Sequence, residues 1–197
     1  GFNVVPLRTE WGRSMDPAVL ADALREHPET QLVVGIHAET SAGTIHPIAE
    51  FARLAHDAGA LFMTDVVTSL AGCEMEFDEW ELDFAYSGSQ KCLAAPPGIS
   101  PVALSERALE YIRNRPKLPS SWYLDLSLIA DYWGKDHVAH HTAPVSMIYG
   151  LREAVAMVLN EGLETRWKRH EANASALRAG LEALNLELPV PESERLD

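Results

Sequence analysis

Two residues of this chain are placed as a reactive pair. Lys91 ends the run Ser87-Gly88-Ser89-Gln90-Lys91, directly after the apolar segment 82–86. Asp65 closes the apolar segment 60–64, one strand–helix–strand interval upstream. A lysine amine and a carboxylate at the ends of neighbouring strands are the two groups that pyridoxal phosphate needs. The amine holds the aldehyde as a Schiff base, and the carboxylate keeps the pyridine nitrogen protonated so that the ring can accept electrons. Taken singly, neither residue says this. A lysine after a strand is commonly just solvated, and an aspartate at a strand end commonly caps a helix or turn.

The elements that would bring the pair together are legible around it. The Val-Val of 31–36 marks a short buried strand, and 60–64, 82–86 and 99–104 read as three more. Asp16 followed by Pro17 starts a helix as N-cap and first helical residue. His46-Pro47 opens a second helix, with Ile48, Phe51, Ala52, Leu54 and Ala55 at helical spacing and Gly59 as its stop. Further helices are predicted over 105–114, capped by Ser105, and over 126–133, 145–160 and 163–184, with Gly162 dividing the last two. Residues 186–190 alternate like an edge strand, and 1–6 open in strand-like text. Strands alternating with helices predict an α/β fold with a largely parallel sheet and helices on its faces. Ligands of such sheets sit beyond the carboxyl ends of the strands, and Thr40, Asp65 and Lys91 each fall just past one.

Six short words, in this order and spacing, resemble the class V aminotransferases. They are His37-Ala38-Glu39-Thr40-Ser41-Ala42-Gly43, Asp65-Val66-Val67-Thr68-Ser69-Leu70, Ser87-Gly88-Ser89-Gln90-Lys91, Ala95-Pro96-Pro97-Gly98, Trp122-Tyr123-Leu124-Asp125 and His140-His141-Thr142-Ala143-Pro144-Val145. The alanine–glyoxylate and serine–glyoxylate enzymes carry similar words. The resemblance implies the large domain of pyridoxal-phosphate-dependent transferase fold type I, with a mostly parallel sheet and helices on both faces. Long helices then lead to a small C-terminal domain. Residues 1–160 would be the cofactor-binding large domain, lacking its N-terminal part, and 161–197 a linker helix and the start of the small domain. Family members are longer, so the chain reads as the middle of one.

The same resemblance implies roles. Lys91 would carry the cofactor and, once displaced by an amino donor, move a proton between substrate and cofactor. Asp65 would pair with the ring nitrogen, and Val67 would pack on one ring face. Thr40 would contact the phenolic oxygen or phosphate, with Gln90 and Ser89 near the phosphate. Thr142 would cross the interface of a homodimer to the partner's phosphate. Many relatives carry a tyrosine immediately before the two histidines, where this chain has Ala139. That implies one phosphate contact fewer, or its replacement by water. The ring-stacking aromatic and the glycine-rich phosphate residues would lie upstream of the chain, and the substrate-carboxylate arginine downstream.

Other residues have plainer readings. Adjacent His140 and His141 on an extended chain point to opposite faces, so they do not chelate one ion, and no metal site is expected. His37 and Glu39 would orient the turn that carries Thr40. The five tryptophans read as core and interface anchors. Alternation turns Cys92 away from the face of Lys91, as an inert buried thiol.

Composition narrows the class. The chain has 197 residues, 29 acidic and 16 basic, for a net charge of −13, which argues against nucleic-acid and anionic-membrane partners. No apolar run approaches the ~20 residues a membrane span needs. Two cysteines are too few for a disulfide framework, which points to a reducing, cytoplasmic compartment. The resemblance implies transamination from a small amino acid, alanine or serine, to glyoxylate or a similar 2-oxo acid. Pyridoxamine–pyruvate and ureidoglycine transaminases are the alternatives within the family. Cysteine desulfurases, which carry a histidine before the lysine, are disfavoured by Gln90. The non-enzymatic alternative is a folded fragment that keeps the Lys91 site without cofactor function.

Overall fold

A computed structural model of the chain describes residues 3–135 and 137–196. The strand expected over 1–6 lies partly outside the described residues, and 3–10 carry no regular structure. Helix α1 (Pro17–Glu26) starts as the sequence predicts: the Asp16 carboxylate accepts from the Ala18 N–H at 2.9 Å, and Pro17 occupies the first turn. Strand β1 (Leu32–Ile36) leads into a small hairpin, β2 (Ala38–Glu39) and β3 (Thr44–Ile45), that the periodicity does not reveal. Helix α2 (Ile48–Asp57) follows, then β4 (Leu61–Asp65), β5 (Phe84–Tyr86) and β6 (Val102–Leu104).

The main sheet has the order β1-β4-β5-β6. β4 is central and parallel to both β1 and β5, while β6 runs antiparallel to β5. The strand predicted over 99–104 is shorter than expected, because Pro101 has no N–H to give the ladder. The pairing nevertheless continues past β5: Ser87 N–H donates to the Pro101 carbonyl at 2.9 Å and Ser89 N–H to the Ile99 carbonyl at 3.0 Å.

Alternation along the strands separates the two faces. Phe62, Thr64 and Ala85 are buried, and Phe62 packs with Phe51, Ala52 and Ala55 of α2 and with Leu20 and Leu24 of α1. Gly35 lies on this face because a Cβ there would stand 3.3 Å from the Phe62 ring. Leu32, Val34 and Ile36 on the opposite face of β1 are exposed. Helices α1 and α2 therefore cover one face of the sheet, and the opposite face of β1 is open among the described residues.

The second half is helical at the predicted places: α3 (Glu106–Arg113), α4 (Leu126–Trp133), α5 (Val145–Glu161) and α6 (Leu163–Ala183). The edge strand expected over 186–190 does not form, since prolines at 189 and 191 interrupt any ladder. The C-terminal segment instead returns to the hairpin. Arg195 bridges Thr44, Leu196 N–H donates to the Gly43 carbonyl at 2.8 Å, and Glu194 pairs with Arg13 at 2.8 Å. Of the five tryptophans expected as core or interface anchors, Trp80 packs on the main core, whereas Trp11, Trp122 and Trp133 are exposed.

Asp83, just ahead of β5, is buried at the amino end of the sheet and knots four elements together. Its Oδ2 accepts from Phe62 N–H at 2.8 Å and lies 2.9 Å from His56 Nε2, while Oδ1 accepts from Ser105 Oγ at 2.9 Å. Removing such a carboxylate strands every donor aimed at it. Asp83→Ala is expected to cost about 3 kcal/mol in urea denaturation, whereas exposed Asp57→Ala stays within about 0.5 kcal/mol.

Candidate active site

Asp65 is the last residue of β4, level with Ile36 of β1 and Tyr86 of β5. Its backbone carbonyl accepts from His37 N–H at 2.9 Å. Both side-chain oxygens are engaged: Oδ1 accepts from Val67 N–H at 2.8 Å, an Asx turn, and Oδ2 accepts from the Tyr86 hydroxyl at 2.7 Å. Burial, then the bond and charge of Asp65, push the Tyr86 phenol up to about 12, so it remains a donor. A carboxylate oxygen has two lone pairs, so each retains one for a further partner.

The turn after Asp65 is tied to both neighbouring loops. The Thr68 hydroxyl shares a short hydrogen bond with Thr40 Oγ1. The Thr68 carbonyl accepts from Cys92 Sγ at 3.3 Å, and the Val66 carbonyl accepts from Ser87 Oγ at 3.3 Å. The segments carrying Thr40, Asp65 with Val67, and Lys91 thus meet along the carboxyl edge of the sheet. Thr40 itself sits in the β2–β3 turn and not directly past β1. Glu39 shapes that turn by accepting from Ser41 N–H at 2.9 Å and Ser41 Oγ at 2.7 Å. His37, under the turn, is buried edge-on against Trp80 with ring centroids 5.6 Å apart. Burial, helped by the charge of His46, pulls the His37 imidazole down to about 4, so it is neutral.

Lys91 and Gln90 are exposed. The Gln90 side chain folds over Gly88, where a Cβ would stand 2.8 Å from Gln90 Oε1. Ser89 is buried, and its hydroxyl donates to the Pro96 carbonyl at 2.6 Å, so it closes the loop from within and does not face the edge. Cys92 is half-buried, and burial, opposed by Arg166 and Lys91, pushes its thiol up. Its Sγ presses on Gly72, whose Cβ would stand 2.7 Å away. From α6, Arg166 donates to the Ala71 carbonyl at 3.1 Å and to the Cys92 carbonyl, and pairs with Glu161 at 2.8 Å. The second half of the chain therefore braces the lysine loop.

Thr142 is exposed ahead of α5 and makes no hydrogen bond to the other candidate residues among those described. His140 and His141 do not point apart as expected: their Nδ1 atoms lie 2.8 Å from each other, the rings nearly perpendicular. That separation is a hydrogen bond, one ring donating and the other accepting. His140 also stacks on Trp122, centroids 4.0 Å apart. Four residues that shape the site were not legible as such: Tyr86, Thr68, Gly72 and Arg166. Alternation in Phe84-Ala85-Tyr86 puts Tyr86 on one face of β5, but only the register with β4 sets it beside Asp65.

This donor set fits pyridoxal phosphate. A fixed carboxylate with spare lone pairs suits a pyridinium N–H, an exposed lysine amine suits an aldehyde, and the Thr40 hydroxyl and Gln90 amide suit oxygen acceptors.

Comparison with known proteins agrees. The profile of the family described as aminotransferase class-V matches residues 1–195. The (S)-ureidoglycine--glyoxylate transaminase of Bacillus subtilis (strain 168) is 39% identical over 95% of this chain and 49% of its own length. The crystal structure of alanine--glyoxylate aminotransferase from Nostoc sp. superposes with a TM-score of 0.92 at 40% identity, over 95% of this chain and 50% of that one. Pyridoxamine-pyruvate aminotransferase from Mesorhizobium loti gives 0.87 at 33% identity, over 96% and 48%. The chain spans about half the length of the relatives it matches.

Two outcomes are expected. The folded pKa of His37 lies below its ordinary value of 6.5, at about 4, so its neutral burial stabilises fully above pH 6.5 and that contribution is lost as pH falls toward 4. Urea midpoints should show about 2 kcal/mol less stability at pH 5 than at pH 7.5, and His37→Gln should flatten this slope. Gly72→Ala should cost about 2 kcal/mol through its clash with Cys92 Sγ, and Cys92→Ala in the same chain should restore most of it.

Proposed function

Because the chain belongs to the class-V aminotransferase family, we propose that it carries the cofactor site of a pyridoxal-phosphate-dependent aminotransferase. The enzyme would move the amino group of a small amino acid, alanine or serine, to glyoxylate or a similar 2-oxo acid. The observation that carries this reading is the Asp65 carboxylate, held on both oxygens at the sheet edge where the Lys91 loop arrives.

When bound, the cofactor supplies an electron sink for the charge left at the donor's α-carbon. Lys91 would hold it through the aldehyde carbon, and the Lys91 Nζ, when free, would take the α-proton from the donor and deliver it to that carbon of the cofactor. Asp65 would hold the proton on the ring nitrogen. Val67, directly after the Asx turn, would pack on a ring face. Thr40 and Gln90 would orient the phenolic oxygen and the phosphate, while Ser89 shapes the loop. Thr142, exposed in this chain, would complete the partner's phosphate site in a homodimer, and Ala139 adds no hydroxyl beside it. Residues 1–160 would form the cofactor domain and 161–197 the connection to a small C-terminal domain, in a cytoplasmic enzyme. Among the described residues no helix is long and apolar enough to cross a membrane.

A second reading concerns the donor alone. Relatives named for ureidoglycine and for alanine match this chain at 39% and 40% identity, so a ureido-bearing amino acid stands as the second donor class beside alanine or serine. Donor screening with glyoxylate separates the two.

The test is the visible absorption of the full-length protein with and without pyridoxal phosphate, then borohydride reduction and peptide mapping. A new band, with the reduced adduct on Lys91, is expected. Lys91→Ala should abolish the band and lower transamination by at least about 10³-fold. A full-length protein without the band, or with the adduct on another lysine, would refute the assignment.

A further inference from the structure

Tyr86 belongs to no motif that pointed to chemistry, yet its hydroxyl bonds directly to Asp65, one of the two groups proposed to carry it. Parallel register sets it level with Asp65, and alternation along β5 puts Phe84 and Tyr86 on the face that α1 and α2 leave uncovered. The phenol donates to Asp65 Oδ2 at 2.7 Å while Val67 N–H donates to Oδ1 at 2.8 Å. We infer that Tyr86 is a positioning residue that fixes the plane of the Asp65 carboxylate toward the cofactor's ring nitrogen. This rests on the function proposed above.

The geometry argues for it in three ways. A carboxylate held through one oxygen turns about its Cβ–Cγ bond, which is a soft torsion with broad preferences. Two donors on opposite oxygens remove that freedom, and the lone pair left on each oxygen then points in a set direction. Second, Tyr86 has a packing neighbour for its ring already: it meets Phe84 with centroids 6.2 Å apart, a contact phenylalanine would make equally well. The hydroxyl is therefore not needed to fill space, and its one hydrogen bond goes to Asp65. Third, the anchor is itself anchored. Val66 N–H donates to the Tyr86 carbonyl at 3.0 Å, so β5 and the Asx turn move together.

The test uses the full-length protein, Tyr86→Phe, and two probes: pyridoxal phosphate and its 1-deaza analogue, in which carbon replaces the ring nitrogen. The substitution is expected to weaken pyridoxal phosphate binding about tenfold by equilibrium dialysis, the scale of one charged hydrogen bond. Binding of the analogue, which presents nothing for Asp65 to meet, should stay the same, as should the melting temperature. Equal weakening of both probes would mean that the hydroxyl only supports the loop, and would overturn the inference. So would unchanged binding of pyridoxal phosphate by Tyr86→Phe when the wild type binds it. If the wild type binds neither probe, the inference fails together with the proposed function.

Discussion

Parallel pairing of β4 between β1 and β5 is the constraint on which the site depends. In a parallel ladder every strand points the same way, so the loops that leave the carboxyl ends all emerge along one edge. Asp65 closes β4, the Thr40 turn follows β1, and the lysine loop follows β5. Three residues 25 to 51 positions apart in the chain meet because their strands are neighbours with matched ends. A one-residue slip between β4 and β5 would take Tyr86 away from Asp65 and turn each β5 side chain to the other face.

The edge is then stiffened by bonds between loops. Thr40 to Thr68, Cys92 to the Thr68 carbonyl and Ser87 to the Val66 carbonyl cross from one loop to the next. Arg166 adds a clamp from α6, reaching the carbonyls of residues 71 and 92 while Glu161 neutralises its charge. A lysine loop braced from behind, with its amine left exposed in front, combines a fixed backbone with an accessible reactive group. The close contact of Gly72 with Cys92 serves the same end, because only a residue without Cβ lets the two segments lie so near.

Two features lie outside that frame. The exposed Leu32, Val34 and Ile36 leave one face of β1 uncovered, in a chain that spans about half the length of its relatives. The paired histidines, of which His140 stacks on Trp122, form a second polar and aromatic cluster ahead of α5, beside exposed Thr142. In the proposed homodimer, the second cluster would lie where the partner subunit packs.

What the sequence determined by itself was local. Asp16 with Pro17 and Ser105 cap their helices as their types require, and the helix at 126–133 has the predicted bounds. Short apolar runs placed the strands, and the six words indicated the family and the Lys91–Asp65 pair. The tertiary structure decided whatever depends on register and on close approach. The β2–β3 hairpin is too short to carry a period, and the run at 186–190 alternates like a strand but is stopped by its prolines. Alternation said that His140 and His141 diverge, whereas a turn of the backbone brings their rings together. The partnership of Tyr86 with Asp65 appears only once β5 lies beside β4, because a side chain's neighbours across a sheet are set by pairing between distant segments, which no local pattern encodes.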